Sequence, residues 1–70
     1  MVKIRIYEMI GSKEKINTGA LCDDFGCVQT GIFSTTESGQ YYFDVEHKTG
    51  ALNEPELRKK YPVDRIEILK

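Results

Sequence analysis

Two cysteines and one histidine are the side chains of this 70-residue chain best suited to metal or redox chemistry. Cys22 and Cys27 are separated by four residues, a wider spacing than that of most zinc knuckles, and the chain has no second cysteine pair. His47 could join them only if two distant segments converged, and nothing in the sequence indicates that. We therefore expect no metal site and no cofactor, and we interpret the cysteines as small, buried or half-buried thiols.

Catalytic chemistry has equally little support in the sequence. His47 lies in a predicted turn with no nucleophile and orienting partner beside it. Asp23 and Asp24 are adjacent and lack the alternating oxygen ligands of a calcium loop, so we interpret them as turn residues. Neither a nucleophile elbow nor a phosphate-binding glycine loop is present. The sequence predicts a protein that is not an enzyme.

Basic residues form the strongest electrostatic feature. The net charge is −1, which argues against a general binder of nucleic acid or of anionic membranes. The middle of the chain is nevertheless acidic and both ends are basic, with a cationic run at positions 58–60. That run has two interpretations: an anion-binding site, or a solvated helix end whose cations complement the helix dipole. The candidate anion-binding residues are Lys3, Arg5, Arg58, Lys59, Lys60 and Arg65.

The two ends of the chain carry the same alternating pattern. Residues 2–7 and 64–69 place β-branched apolar residues at every second position with charged residues between them, which is typical of half-buried strands. Pairing the first strand with the last would protect sheet edges. It would also gather the positive charges of Lys3, Arg5 and Arg65 along one seam.

A hairpin is predicted between residues 28 and 46. Two β-prone runs flank Ser38-Gly39, and a two-residue turn there would pair Ile32 with Val45, Ser34 with Phe43, and Thr36 with Tyr41. This register places Ile32 in the core and leaves Phe33 and Tyr42 on the solvent face. A longer turn would bury Phe33 instead, because a slip of one residue reverses every side chain.

Three aromatic residues are therefore candidates for partner binding. Phe33 and Tyr42 are diagonal neighbours on the solvent face of the predicted hairpin, and Tyr7 faces outward if Val2, Ile4 and Ile6 face inward. Exposed aromatic residues on a sheet often mark a binding surface. The alternative is that the segment at residues 11–19, or a short helix, covers them and completes a second small core.

The remaining segments predict loops and one helix. Residues 11–19 read as a long loop, residues 23–26 as a tight turn, and residues 51–52 as a short strand. Asn53 as N-cap, Pro55 in the first turn and Glu56 three residues after the cap predict a short helix that Pro62 ends.

This order of elements predicts a mainly β fold for residues 1–70 as one domain. We expect one short helix and five to six strands in a small bent antiparallel sheet or a barrel, with the N- and C-terminal strands adjacent. The order resembles that of SH3-like barrels, in which a long loop follows the first strand and a helical turn precedes the last. The chain lacks tryptophan and the acidic-aromatic segment of signalling SH3 domains, so the resemblance does not imply recognition of proline-rich peptides.

Two functions from different classes are consistent with these features. The first is a small non-enzymatic interaction module that binds a protein partner, or a second copy of itself, through the aromatic sheet face or a strand edge. The second is a nucleic-acid-binding barrel that uses the basic terminal strands and the run at positions 58–60, which the net charge disfavours. The basic residues directly after Met1 are unlike a secretion signal, and no segment reads as a membrane anchor, so we expect a cytoplasmic protein.

Overall fold

The computed structural model of the protein describes residues 1–69. In these residues two helices accompany five strands: β1 (Val2–Glu8), α1 (Thr18–Phe25), β2 (Val28–Gln29), β3 (Ser34–Thr35), β4 (Tyr41–His47), α2 (Glu54–Lys60) and β5 (Val63–Leu69). The strands form one antiparallel sheet in the order β2-β4-β1-β5, and β3 pairs with β4. The first and last strands are adjacent, which confirms the prediction from the matched ends. Of the two predicted forms, this strand order is that of an open sheet, because within residues 1–69 β5 pairs only with β1.

One face of the sheet carries the core. Ile4 and Ile6 of β1 pair with Val45 and Phe43 of β4, and all four side chains are fully buried. Directly opposed residues of antiparallel strands point to the same side, so this side is apolar across both central strands. Leu21 and Cys22 of α1 and Leu57 of α2 belong to the same buried cluster. Both helices therefore cover this face.

Helix α1 forms where a loop and a turn were predicted. The Asn17 side chain accepts a hydrogen bond from the Ala20 amide at 3.1 Å, and Gly26 ends the helix in the left-handed conformation with φ of 64°. Residues 20–22 are helical and bury Leu21 and Cys22. The predicted turn at residues 23–26 is therefore wrong, and the single helix predicted for the chain becomes two.

The C-terminal helix was predicted correctly from its capping residues. The Asn53 side chain accepts a hydrogen bond from the Glu56 amide at 3.2 Å, and Pro55 lies in the first turn. Arg58 forms an ion pair with Glu54 at 3.0 Å, one turn away. The short strand predicted at residues 51–52 is absent, because these residues pair with no strand.

The predicted register of the central hairpin is wrong by one residue. Ser34 pairs with Tyr42 and Thr35 with Tyr41, because the turn between Thr36 and Gln40 holds three residues, with Gly39 at φ of 87°. Every side chain of the first run is consequently reversed relative to the prediction.

Two residues show the result of this reversal. Phe33 packs against Phe43 of the core at a ring separation of 5.2 Å, whereas Ile32 is 83% exposed. The first run is also interrupted between β2 and β3, where the amides of Thr30 and Gly31 both donate to the Asp44 carbonyl.

The single histidine is the last residue of β4 and contacts the turn that follows. The His47 Nδ1 atom accepts hydrogen bonds from the amides of Thr49 at 3.2 Å and Gly50 at 3.1 Å. Gly50 has φ of 77°, and a side chain at this position would place its Cβ atom 2.9 Å from Val2 Cγ1. His47 therefore stabilises a tight turn that lies against the start of β1.

Candidate interaction surface

The sheet face opposite the core is built from the alternate residues of three adjacent strands. We call this surface the open face. Neither helix covers it, because the buried residues of α1 and α2 belong to the core cluster on the other side. The register places nine side chains on it: Lys3, Arg5, Tyr7, Tyr42, Asp44, Glu46, Arg65, Glu67 and Leu69.

Two tyrosines and two arginines stack across the centre of the open face. Tyr7 and Tyr42 are directly opposed on β1 and β4, with their ring centroids 5.7 Å apart. The Arg65 guanidinium carbon lies 3.8 Å from the centre of the Tyr7 ring, and that of Arg5 lies 4.3 Å from the centre of the Tyr42 ring. We call this arrangement, in the order Arg65-Tyr7-Tyr42-Arg5, the Arg–Tyr stack. Tyr7 in this stack is only 6% exposed, on a face that neither helix covers.

Carboxylates hold the stack in place. Arg5 donates to both Asp44 oxygens, from Nε to Oδ1 at 2.9 Å and from Nη2 to Oδ2 at 3.2 Å. Hydrogen bonding to Asp44 raises the pKa of Arg5 above its ordinary value. The Tyr7 hydroxyl donates to Glu67 Oε1 at 3.1 Å. Arg65 differs from Arg5, since within residues 1–69 it has no carboxylate within ion-pairing distance.

The strand β5 reaches this register through one extra residue. Tyr7 pairs with Arg65 but Glu8 pairs with Val63, so Asp64 is unopposed and forms a β-bulge. The Asp64 side chain accepts a hydrogen bond from Gln40 Nε2 at 2.9 Å, and the same amide nitrogen donates to the Glu8 carbonyl at 3.0 Å. This bulge sets the register that places Arg65 over Tyr7.

The structure separates the three aromatic residues predicted to bind a partner. Tyr7 and Tyr42 lie together on the open face, but Phe33 lies on the other face because of the one-residue change in register. Lys15 Nζ is 6.0 Å from the centre of the Phe33 ring and 5.0 Å from that of Tyr41. Phe33 packs against the main core and not in a second small core, so the predicted contact between Phe33 and Tyr42 is wrong.

The predicted anion-binding residues are also divided between two surfaces. Lys3, Arg5 and Arg65 lie on the open face, whereas residues 58–60 are exposed at the end of α2, which packs on the core side. On the open face these three cations alternate with the three carboxylates of Asp44, Glu46 and Glu67. The three cations do lie along the seam between the terminal strands with Glu67, but the carboxylates of β4 flank them, so the open face as a whole is a mixed surface.

The two cysteines are free and buried beside one another at the end of α1. Burial raises the pKa of the Cys27 thiol to about 12, and the neighbouring Cys22 thiol contributes to this shift. A thiol with such a pKa is a poor nucleophile at neutral pH, since the thiolate is the reactive form. Within residues 1–69, no three side chains of His, Cys, Asp or Glu are grouped as a metal site would require.

Asp24 has a structural contact in place of the turn role predicted for it. The Tyr61 hydroxyl donates to Asp24 Oδ2 at 2.7 Å, and the Phe25 and Tyr61 rings meet edge to face at 6.3 Å. The hydrogen bond to Asp24 raises the pKa of Tyr61 to about 12. These contacts join the end of α1 to the residues that follow α2.

Sequence reasoning considered Tyr7, Arg5 and Arg65 separately and did not find the Arg–Tyr stack. Their alternation along β1 and β5 was visible, and the pairing of the two strands was predicted. The missing information was the register between these strands, which the Asp64 bulge determines.

Comparisons with known proteins identify no relative: no family model, no curated protein and no solved structure matches the chain. Neither helix found in residues 1–69 has the length and apolar character needed to cross a membrane.

Proposed function

We propose that this protein is a small interaction module that binds a protein partner through its open face. The observation that carries the proposal is the Arg–Tyr stack at the centre of a sheet face that neither helix covers. Tyrosine and arginine are enriched in protein–protein interfaces, and they supply many of the residues that dominate binding energy.

The stack is held in place before any partner binds. Arg5 is fixed by Asp44 and by the Tyr42 ring, and Tyr7 is fixed by Glu67 and by Arg65. Side chains that are already ordered lose less conformational entropy on association, so more of their contact energy contributes to affinity. This arrangement suits a binding surface better than freely moving arginines would.

The chemistry of the open face defines the partner it fits. Arg65 is exposed, and its guanidinium lies over the Tyr7 ring without an ion pair in residues 1–69, so its N–H groups are available to a partner. A carboxylate on the partner can accept two of these N–H groups. The equal numbers of cations and carboxylates around the stack favour a partner with a mixed polar surface over one with a high charge of one sign.

Nucleic acid fits these observations less well. Base stacking on Tyr7 would require displacement of Arg65, and the basic residues of α2 lie on the other side of the sheet. Acidic side chains also alternate with Lys3, Arg5 and Arg65, which weakens the attraction for phosphate. We therefore favour a protein partner.

We further propose that the module has no catalytic activity of its own and acts in the cytoplasm. The raised pKa of Cys27 and the use of His47 Nδ1 within a turn support the first statement. Two free, buried thiols suit a reducing compartment, which supports the second.

The test begins with capture of binding proteins by the tagged chain from its source cells. Each purified candidate is then titrated by calorimetry against the wild type, Arg65→Ala and Tyr42→Ser, with Lys59→Ala on α2 as the matched control. We expect affinity to fall about tenfold or more in both open-face variants and to stay unchanged in the control. Binding that depends on Lys59 and not on Arg65 or Tyr42 would overturn the proposal. Retention of nucleic acid with a steep salt dependence would favour the second function.

A further inference from the structure

The strand β5 is an unprotected edge of the sheet. It pairs with β1 on one side, and within residues 1–69 no strand pairs with its other side. Alternate backbone N–H and C=O groups of Asp64–Leu69 therefore face outward without a backbone partner. Such an edge is a template for another extended chain.

We propose that β5 pairs with β5 of a second copy of this chain, antiparallel about a two-fold axis at Ile66. Charge complementarity selects both the occupant and the register. Centred on Ile66, the pairing places Arg65 of each copy opposite Glu67 of the other, so that two cross-strand ion pairs form. A two-fold axis at Glu67 would place the two copies of Glu67 opposite each other, and an axis at Arg65 would do the same with Arg65. Both alternatives are disfavoured, because directly opposed like charges destabilise a sheet.

Within one copy, Arg65 and Glu67 both remain able to form the ion pair with a second copy. Arg65 lies over the Tyr7 ring and has no ion pair within residues 1–69, so its guanidinium N–H groups are available. Glu67 accepts the Tyr7 hydroxyl at Oε1, which leaves its second carboxylate oxygen for the incoming arginine. The second copy thus supplies the carboxylate that Arg65 lacks.

Apolar residues on the core side of β5 support the same pairing. Ile68 is 55% exposed at this edge, and Ile66 is half-buried beside it. Centred on Ile66, the pairing opposes the two Ile66 side chains and places each Ile68 diagonal to Ile66 of the other copy, within reach of contact. The four isoleucines would then form one apolar row across the interface.

The proposed pairing also changes the open face. A two-fold axis perpendicular to the sheet keeps the open faces of both copies on the same side, because opposed residues of antiparallel strands share a face. The dimer would present two Arg–Tyr stacks on one continuous sheet. Arg65 belongs to both the open face and the proposed pairing, so Ile68→Lys, which changes β5 on its core side and leaves the open face intact, distinguishes failure of this inference from failure of the proposed function.

A charge-swap experiment tests the register directly. Arg65→Glu makes positions 65 and 67 both acidic, and Glu67→Arg makes both basic. We expect the wild type to dimerise with increasing concentration in analytical ultracentrifugation, each variant alone to dimerise about tenfold more weakly, and an equimolar mixture to form a heterodimer. Lys59→Glu, which makes the same charge change on α2, should dimerise as the wild type does.

Several results would overturn the proposal. The proposal is wrong if the wild type stays monomeric at all concentrations. It is also wrong if Arg65→Glu and Glu67→Arg dimerise normally, or if their mixture forms no heterodimer. Circular dichroism verifies that each variant is folded. If either charge variant unfolds, Ile68→Lys is compared with Ile32→Lys, the same change at an exposed isoleucine far from β5, and only Ile68→Lys should weaken dimerisation. Normal dimerisation of Ile68→Lys would count against the interface. Partner titrations with Ile68→Lys, which leaves the open-face side chains unchanged, show whether open-face binding survives the loss of self-pairing.

Discussion

Arg65 lies over the ring of Tyr7, with its guanidinium carbon 3.8 Å from the ring centre, across the pairing of the first and last strands. The two residues are 58 positions apart in the sequence, and their contact depends on the register that the Asp64 bulge creates. Arg65 covers one side of the central tyrosine of the open face, so its removal is the simplest way to examine that surface.

Replacement of Arg65 by alanine should lower the free energy of unfolding by about 0.5–1 kcal/mol, the range of an exposed cation–π contact. It should also expose the Tyr7 ring to solvent. Urea denaturation at low protein concentration measures the first effect, and quenching of tyrosine fluorescence by a small neutral molecule measures the second. Lys59→Ala is the control, because Lys59 is exposed on α2. Equal stability of both variants would contradict the role given to the stack.

Replacement of Gly50 by alanine should destabilise the protein by about 1–3 kcal/mol. The backbone at Gly50 has φ of 77°, and an added Cβ atom would lie 2.9 Å from Val2. Gly39→Ala is a matched control, since Gly39 has φ of 87° but open space around the added atom. Thermal unfolding should show a smaller loss for Gly39→Ala. In a double-mutant cycle Val2→Ala should recover the part of the Gly50→Ala effect caused by the close contact, and full additivity would argue against that contact.

Replacement of Phe33 by alanine should cost about 2 kcal/mol or more, while the same change at the neighbouring Ile32 should stay within about 0.5 kcal/mol. Phe33 packs on Phe43, and Ile32 is 83% exposed. The pair therefore distinguishes the observed hairpin register from the two-residue turn, in which Ile32 would be buried. A larger loss for Ile32→Ala in urea denaturation would show that the two-residue turn is the correct one.

The hydrogen bond from Tyr61 to Asp24 should make stability depend on pH in the alkaline range. The pKa of Tyr61 is raised from 10.0 to about 12 in the folded protein, so the unfolded chain loses this proton first. Its stabilising contribution is complete below about pH 10 and is lost as pH rises through about 12. The difference in unfolding free energy between wild type and Tyr61→Phe should therefore shrink from about pH 9 to about pH 12. A difference that stays constant over this range would contradict the proposed linkage.

The parts of the fold that were predictable from sequence have strong local signals. Alternating residues define β1 and β5, and the capping residues around Asn53 define α2. Helix α1 has weaker signals: Gly19 lies in its first turn and Asp23-Asp24 in its last, so only Asn17 and Gly26 mark its limits. Asn17 and Gly26 are equally typical of loops, so they did not identify a helix.

The candidate site was predictable only in part, because register is not a local property. Two-residue and three-residue turns both fit the sequence around Gly39, yet they place Phe33 on opposite faces. The position of Arg65 over Tyr7 likewise depends on the unopposed residue Asp64. Tyr7 and Tyr42 were found because alternation alone places them on the solvent side of their strands.

The central position of β1 has a consequence for how the chain folds. Its contacts reach Asp44 across 39 residues and Glu67 across 60, so the N-terminal strand has no neighbour in the sheet until distant parts of the chain arrive. Closing such long loops is entropically costly, and domains with this contact order fold on the order of milliseconds to seconds. During synthesis the apolar side of the first strand therefore stays exposed until most of the chain has left the ribosome. A chaperone or another nascent copy would encounter Ile4 and Ile6 in that interval, before their native neighbours do.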